Sequence, residues 1–514
     1  MTRALVLLVF LPLLQGSACS LTGGIDEEKA AARAERSAAA RALAKADAKR
    51  KTASPIGTNL APIADWSTQR PFADLFKQSR PWISNTEAKW DDERKLDVDA
   101  RGWVKSLKPG QRARTLIIWD NAIPSGEHVV TWQGKGTIDF WPQQAVTQTG
   151  RAVIQMDPSK GGLALTITAT DPRDPVRDIH VWRAGHEGKR FSPAFVESLR
   201  GYSTLRFMDW METNDAKVVS FGERSLVDDA RWTGKGVPLE VMIELCNLLD
   251  VDLWISVPDT WNDDAVAQAA RLLQRDLEPA LAIYVEHSNE VWNDMFPQAK
   301  RARAAGKTRS RDAHEARLLH HAVRSVEIFK IFEAAFLKDG ARLVRTLGAH
   351  SANPWASRVM LGAPGVVEHT DALAIAPYFG HDVIETGLEG IFKALAADID
   401  RSGAVIKEHK ALADKARVQL IAYEGGQHMV GLDDEARTQA FLAANRDPRM
   451  KAAYASALRA WKDAGGGLFV HYFDTGMPGK FGSWGARDRV DQPRSAAPKL
   501  DALLTFAEAT PAWW

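Results

Sequence analysis

Between Ile56 and Phe473 the chain keeps returning to one pattern: a short apolar run, partly β-branched, ended by turn residues and followed by a stretch with helical spacing. Ile56–Ala61, Ser203–Trp210, Asp252–Val257, Ala282–Val285, Arg342–Leu347, Asp371–Pro377, Val418–Tyr423 and Gly467–Phe473 are eight such runs. Strands that alternate with helices pair in parallel, because each crossover is long enough to carry the chain back to the same edge. Eight repeats are the number that closes a (β/α)8 barrel, so an α/β fold of that type is expected. Helices are expected over Pro193–Arg200 behind a Ser192 cap, Val237–Leu249, Asp263–Leu273, Asp312–Leu337 and, as one rod, Thr438–Ala464.

One stretch breaks the rhythm. Thr115–Trp119, His128–Trp132, Thr137–Trp141, Val153–Met156 and Leu163–Ala169 are strand-like runs divided by Gly- and Pro-bearing turns, with no helix between them. They predict a small β-sandwich-like domain over residues 90–182, inserted after the first strand. The barrel would start over 55–89 with its first βα unit and resume over 183–514. Trp119, Trp132 or Trp141 could bind glycan there, or the domain could only brace the barrel.

Ahead of the barrel, residues 1–18 carry an early Arg3, an apolar core Ala4–Leu14 and small residues before Cys19, and read as a secretory signal. Export follows, to the periplasm or the exterior. Cys19 is either a lipid-anchored first residue or the start of an ordinarily cleaved chain, since Gly16 stands where a lipoprotein signal has leucine. Residues 19–54, rich in Ala, Lys, Arg and Glu, form a tether with nothing to bury. With Cys246 the only other cysteine, in an apolar helical run, no structural disulfide is expected. The 66 basic and 65 acidic residues leave a net charge of +1, which gives no field for nucleic acid or membrane. A neutral partner fits better, and 18 tryptophans suggest sugar-stacking faces as well as core. No run is long enough to span a bilayer.

Chemistry concentrates at two strand ends. Ala282–Asn293, AIYVEHSNEVWN, runs from strand four into Asn289 and Glu290; Val418–Gly426, VQLIAYEGG, ends strand seven in Glu424. In a (β/α)8 barrel that face holds the active site, so the two carboxyls can meet across one cleft. At about 5–5.5 Å apart, one protonates a glycosidic oxygen while the other attacks the anomeric carbon. The pattern resembles the clan of retaining glycoside hydrolases whose (β/α)8 barrel has Asn-Glu after strand four and Glu after strand seven. HSNEVWN with AYEGGQH is also similar to bacterial proteins loosely called cellulose-binding. The resemblance covers roughly residues 55–85 and 185–490.

By that resemblance Glu290 is the acid/base, Glu424 the nucleophile and Asn289 a partner of the sugar 2-hydroxyl. Arg206 would hold the nucleophile ionised, Tyr378 would hydrogen-bond it, and Trp484 would serve as a sugar platform. Trp292, His350 and His428 are further substrate-binding candidates, within a group of strand-end histidines that also includes His287 and His381. The substrate would be a polysaccharide or oligosaccharide, with endo action suggested by the many aromatics. Neither cofactor nor metal is called for. Two other readings stay open: a non-catalytic glycan-binding protein on the same fold, and a metal-dependent hydrolase using His287, Glu290, Glu424 and His428.

Overall fold

In the computed structural model residues 54–337 and 339–514 are described; the signal, Cys19 and nearly all of the tether lie outside them. Eight parallel strands close into a barrel in chain order: β1 (Ile56–Asn59), β2 (Thr204–Arg206), β3 (Asp252–Val257), β4 (Ile283–His287), β5 (Leu343–Gly348), β6 (Ala372–Ile375), β7 (Gln419–Ala422) and β8 (Phe469–His471). β1 pairs with both β2 and β8, which closes the ring. The fold is a (β/α)8 barrel. All residues of β3 are buried, as a strand packed on both faces requires. Among the described residues no helix is long and apolar enough to cross a membrane.

Strand two is shorter than its apolar run: regular pairing stops at Arg206, and Phe207–Met211 turn over the barrel mouth. Strand four is longer, continuing through Glu286 and His287. The rod expected over Thr438–Ala464 is two helices, Glu435–Arg446 and Arg449–Asp463. Pro448 has no N–H for a helix interior and disfavours helical backbone at Asp447, so the chain breaks between them. Further helices fill the ring at Pro297–Ala305, Pro354–Leu361, Leu388–Lys415 and Pro498–Ala509.

The insertion lies inside the connection from β1 to the first barrel helix, Pro193–Ser198. It comprises two four-stranded antiparallel sheets around their own apolar cluster. Its first strand, Ile83–Asn85, precedes the aromatic pattern and pairs with Arg112–Arg114; its last, Arg177–Arg183, runs along Gly126–Gln133. The short helical turn Leu75–Gln78, expected in the first barrel unit, instead puts Leu75 and Phe76 into the insertion's core. Of the three candidate tryptophans, Trp132 is core, while Trp119 and Trp141 are exposed. Trp210, Trp232, Trp254 and Trp461 are also fully buried, so much of the tryptophan surplus is packing. Cys246 is a buried free thiol.

Candidate active site

Alternation along β4 decides which side chains meet. Tyr284 and Glu286 face into the barrel, where Tyr284 stacks on Trp254 of β3 with ring centroids 5.1 Å apart. Ile283, Val285 and His287 face the helices. His287 therefore turns away from the cleft and meets His321 of the Ala313–Ala335 helix, Nδ1 to Nδ1 at 3.1 Å. Burial holds both imidazoles below their usual range, His321 at about 4. His287 thus belongs to neither a sugar subsite nor a metal set with Glu290.

Glu286, which the sequence pattern passed over, is the most heavily bonded carboxylate at the mouth. Its Oε2 accepts from Arg206 Nε at 2.9 Å, Trp254 Nε1 at 2.9 Å and Ser256 Oγ at 3.2 Å. Arg206, buried at the end of β2, is the hub of the site. Its Nη1 donates to Asn59 Oδ1 at 2.9 Å and to Glu424 Oε2 at 3.2 Å, and its Nη2 donates to Asn289 Oδ1 at 2.9 Å. One guanidinium thus joins the ends of β1, β2, β4 and β7. A planar fork with fixed donors suits such a junction, where lysine would offer one mobile charge.

Beyond β4 the backbone reaches Glu290 through two left-handed non-glycine residues, Ser288 (φ 62°) and Glu290 (φ 41°). Each costs roughly 1–2 kcal/mol, a strain held by the surroundings. Asn289 between them is engaged at both ends, accepting from Arg206 and donating to Asn214 Oδ1 at 3.1 Å. Gln298 donates to the Asn289 carbonyl at 2.9 Å and fixes the turn. Glu290 itself accepts from Asn293 Nδ2 at 3.0 Å and from the Tyr423 hydroxyl at 3.4 Å. Both are neutral donors.

At β7 the polypeptide leaves differently. Glu424 is followed by Gly425, whose added Cβ would come within 2.8 Å of the Phe469 ring. Gly426 has φ 140°, and a Cβ there would sit 2.9 Å from Tyr454 Oη and 3.0 Å from His471 Nε2. Only glycine fits that exit, which accounts for the Glu-Gly-Gly spelling. Glu424 is fully enclosed and hydrogen-bonded to Tyr378 as well as Arg206.

Burial pushes Glu290 up, against the hydrogen bond from Asn293 and the pull of Arg206. It also pushes Glu424 up, to about 8; Arg206 and Tyr378 oppose that rise, and the charges of Glu290 and Glu286 add to it. Two interacting carboxyls titrate as a pair and not as two independent groups. The contacts of the two carboxyls differ. Glu424 has the guanidinium and Glu290 does not, a contact that favours the charged form of Glu424 over that of Glu290.

The remaining candidates ring the two glutamates. Tyr378, Tyr472, His428 and Trp484 form one aromatic wall: the Trp484 ring lies 5.9 Å from Tyr378, 5.8 Å from Tyr472 and 4.8 Å from His428. His428 also meets His381, Nδ1 to Nδ1 at 3.2 Å. On the other side Trp292 packs against Tyr423 at 6.2 Å and His350 at 6.0 Å. Sequence reasoning missed Asn59, Asp209, Tyr423 and Tyr472 besides Glu286. Asp209, two residues past Phe207 in the turn after β2, has one buried carboxylate oxygen with no hydrogen-bond partner, and burial pushes it up to about 7. The one legible signal among these was Glu286, a charge inside an otherwise apolar strand.

No protein-family model matches the chain, and no curated protein matches it either. Solved structures do. A GH51 arabinofuranosidase from Xanthomonas axonopodis pv. citri aligns with TM-score 0.41 and 11% identity over 62% of this chain and 67% of that one. A family 51 alpha-L-arabinofuranosidase from Bifidobacterium longum gives 0.40 and 11%, over 62% and 66%. A GH5-4 broad specificity endoglucanase from Ruminococcus flavefaciens gives 0.39 and 11%, over 62% and 88%. At such scores the chemistry has to be argued from the side chains of this chain.

Proposed function

We propose that the protein is a retaining β-glycoside hydrolase with Glu290 as acid/base and Glu424 as nucleophile, endo-acting on a polysaccharide outside the cytoplasm. The observation that carries the reading is the unequal partnering of two buried glutamates on one barrel face: Arg206 contacts Glu424 and only neutral donors contact Glu290. Retention needs that asymmetry, a proton donor and a charged nucleophile made from the same residue type.

In the first step the protonated Glu290 gives its proton to the glycosidic oxygen while the Glu424 carboxylate attacks the anomeric carbon. The glycosidic bond breaks, the leaving sugar departs as an alcohol, and a glycosyl ester to Glu424 forms. Glu290, now ionised, takes a proton from water; the resulting hydroxide attacks the same carbon and frees Glu424. Arg206 and Tyr378 stabilise the carboxylate as attacking and as leaving group. Trp484 and Tyr378 offer ring faces for sugar stacking, whereas Trp292 is buried with one face stacked on His350. Export rests on the composition of residues 1–18, and endo action on the aromatic content together with the inserted β-domain.

The test separates the two glutamates. Glu424→Ala should lower turnover of every substrate by about four orders of magnitude or more, and azide should restore rate with an inverted product. Glu290→Ala should abolish polymer cleavage but still be glycosylated by dinitrophenyl glycosides, and azide should then give a retained product. If Glu290→Ala cuts polymer within about tenfold of wild type, about 1.4 kcal/mol, the acid/base assignment is wrong.

A further inference from the structure

The outer face of one inserted sheet carries indoles that the barrel chemistry does not use. Along Gly162–Thr170 the residues Leu163, Leu165 and Ile167 point into the insertion's core, so Gly162, Ala164 and Thr166 point outward. Gly162 pairs with Trp119 and Ala164 with Trp141, on the two flanking strands. A Cβ on Gly162 would lie 2.4 Å from Trp119 Cε3 and 2.9 Å from Cζ3. The indole therefore packs directly over this glycine, in space that a side chain there would fill, and keeps part of its surface exposed. Trp119 and Trp141 stand two strands apart, about 10 Å across the sheet, and are offset by two residues along it.

Both rings keep exposed area: Trp119 is 37% and Trp141 50% accessible. Trp141 is propped edge-on by Trp90, centroids 5.7 Å apart, and Arg114 stacks over Trp90 at 4.2 Å, itself held by Thr166 through a 3.0 Å hydrogen bond. Exposed tryptophans with such built supports are fixed faces. Beside Trp119 stand the exposed Asp120 carboxylate and the Asn121 amide, joined at 2.9 Å. An apolar ring face flanked by a carboxylate and an amide matches a pyranose, which has a C–H face and a hydroxyl edge.

This end of the sheet is pinned to the barrel mouth from two sides. The Trp119 backbone N–H donates to the Asp65 backbone carbonyl in the loop after β1 at 2.9 Å, and Arg489 in the segment after β8 donates to the Asn121 backbone carbonyl at 2.7 Å. Trp66, next to Asp65, is 55% exposed on that rim. Asn59, which ends β1, bonds Arg206, so the rim belongs to the same mouth as the two glutamates.

We infer that Trp66, Trp119 and Trp141 form a binding track for an extended neutral polysaccharide chain running from the barrel mouth onto the inserted sheet. Its direction toward the mouth rests on the glycosidase reading; the binding face itself does not.

The test is affinity electrophoresis of the full chain carrying Glu424→Ala, which prevents degradation, through gels containing hydroxyethylcellulose, arabinoxylan or galactomannan. At least one polymer should retard it. Trp119→Ala and Gly162→Ala, the latter lifting the indole off the sheet, should each weaken the apparent affinity about tenfold, as truncating an aromatic anchor does. In the otherwise wild-type chain both should leave the turnover of a small aryl glycoside unchanged, and Trp119→Ala, at an exposed ring, should leave the melting temperature within a few degrees of the parent. No retardation by any of the three polymers overturns the track, as does retardation of both variants equal to the parent. A parallel loss of aryl-glycoside turnover in Trp119→Ala overturns it too, by putting Trp119 in the cleft. Trp119-dependent retardation in a chain that hydrolyses nothing keeps the track and removes the glycosidase reading.

Discussion

The ends of β4 and β7 bear the same side chain on different supports. After β4 the backbone spends strain, in Ser288 and Glu290, to present a carboxyl to an amide and a phenol. After β7 the carboxyl stands two residues beyond the strand, touches a guanidinium, and is followed by two glycines where a side chain would not fit. The difference teaches that partners bias charge at this mouth: of three buried glutamates around one Arg206, Glu286 and Glu424 touch it directly and Glu290 does not. Glu286 is the reference case, with Arg206, Trp254 and Ser256 all donating to it.

The largest blow to that contrast should come from Arg206→Met. Removing the cation from a buried cluster leaves Glu286 and Glu424 uncompensated, so unfolding free energy should drop by about 3–5 kcal/mol in denaturant titrations at pH 7. Lowering the pH should recover part of it, because both carboxyls are then protonated. A loss that is the same at pH 5 and pH 8 would mean Arg206 acts by packing alone.

Next in size is Gly426→Ala. A Cβ meeting Tyr454 Oη and His471 Nε2, on a backbone at φ 140°, should cost about 1–3 kcal/mol. It should also displace Glu424 and lower kcat more than it raises KM. Unchanged stability would show that the exit after β7 is slack and that the contrast with the strained β4 exit is overdrawn.

The smallest effect concerns Asp209, the carboxyl with an orphaned oxygen. Its native pKa, about 7, is raised by burial above the ordinary carboxylate value, so the folded state holds its proton more tightly than the unfolded one. Its contribution to stability is full below about pH 4 and fades as the pH rises to about 7. Asp209→Asn should therefore flatten the fall of the melting temperature across that interval. An identical slope in both proteins would place Asp209 in water.

Much of this site could be read from the amino-acid order. Glu290, Glu424, Asn289 and Arg206 stand at or just beyond strand ends, where a barrel exposes its chemistry, and the apolar runs before them mark those ends. Glu286 escaped because the run Ala282–Val285 looked complete one residue before it, and its partners inside the barrel, Arg206, Trp254 and Ser256, lie far away in sequence. His287 looked like its neighbours on the mouth until alternation turned it outward. Asn59 and Tyr472 owe their places to the closing of the ring, which no local pattern encodes. The three-residue strand Ile83–Asn85 is too short to show a period, whereas the break at Pro448 was visible and passed over.

The first barrel strand is held by the last: Thr58 Oγ1 donates to the His471 carbonyl across 413 positions. A nascent chain emerging from its N-terminal end must therefore carry β1 as an unpaired edge until nearly everything else has been made. The entropy of closing a loop grows only with the logarithm of its length, so the size of the gap costs less than the time β1 spends exposed. The inserted sheets, whose pairings all fall within residues 83–183, can collapse early and gather up the stretch between β1 and β2. They thereby shorten the effective tether on which β1 waits, and make the interruption of the barrel a device for assembling it.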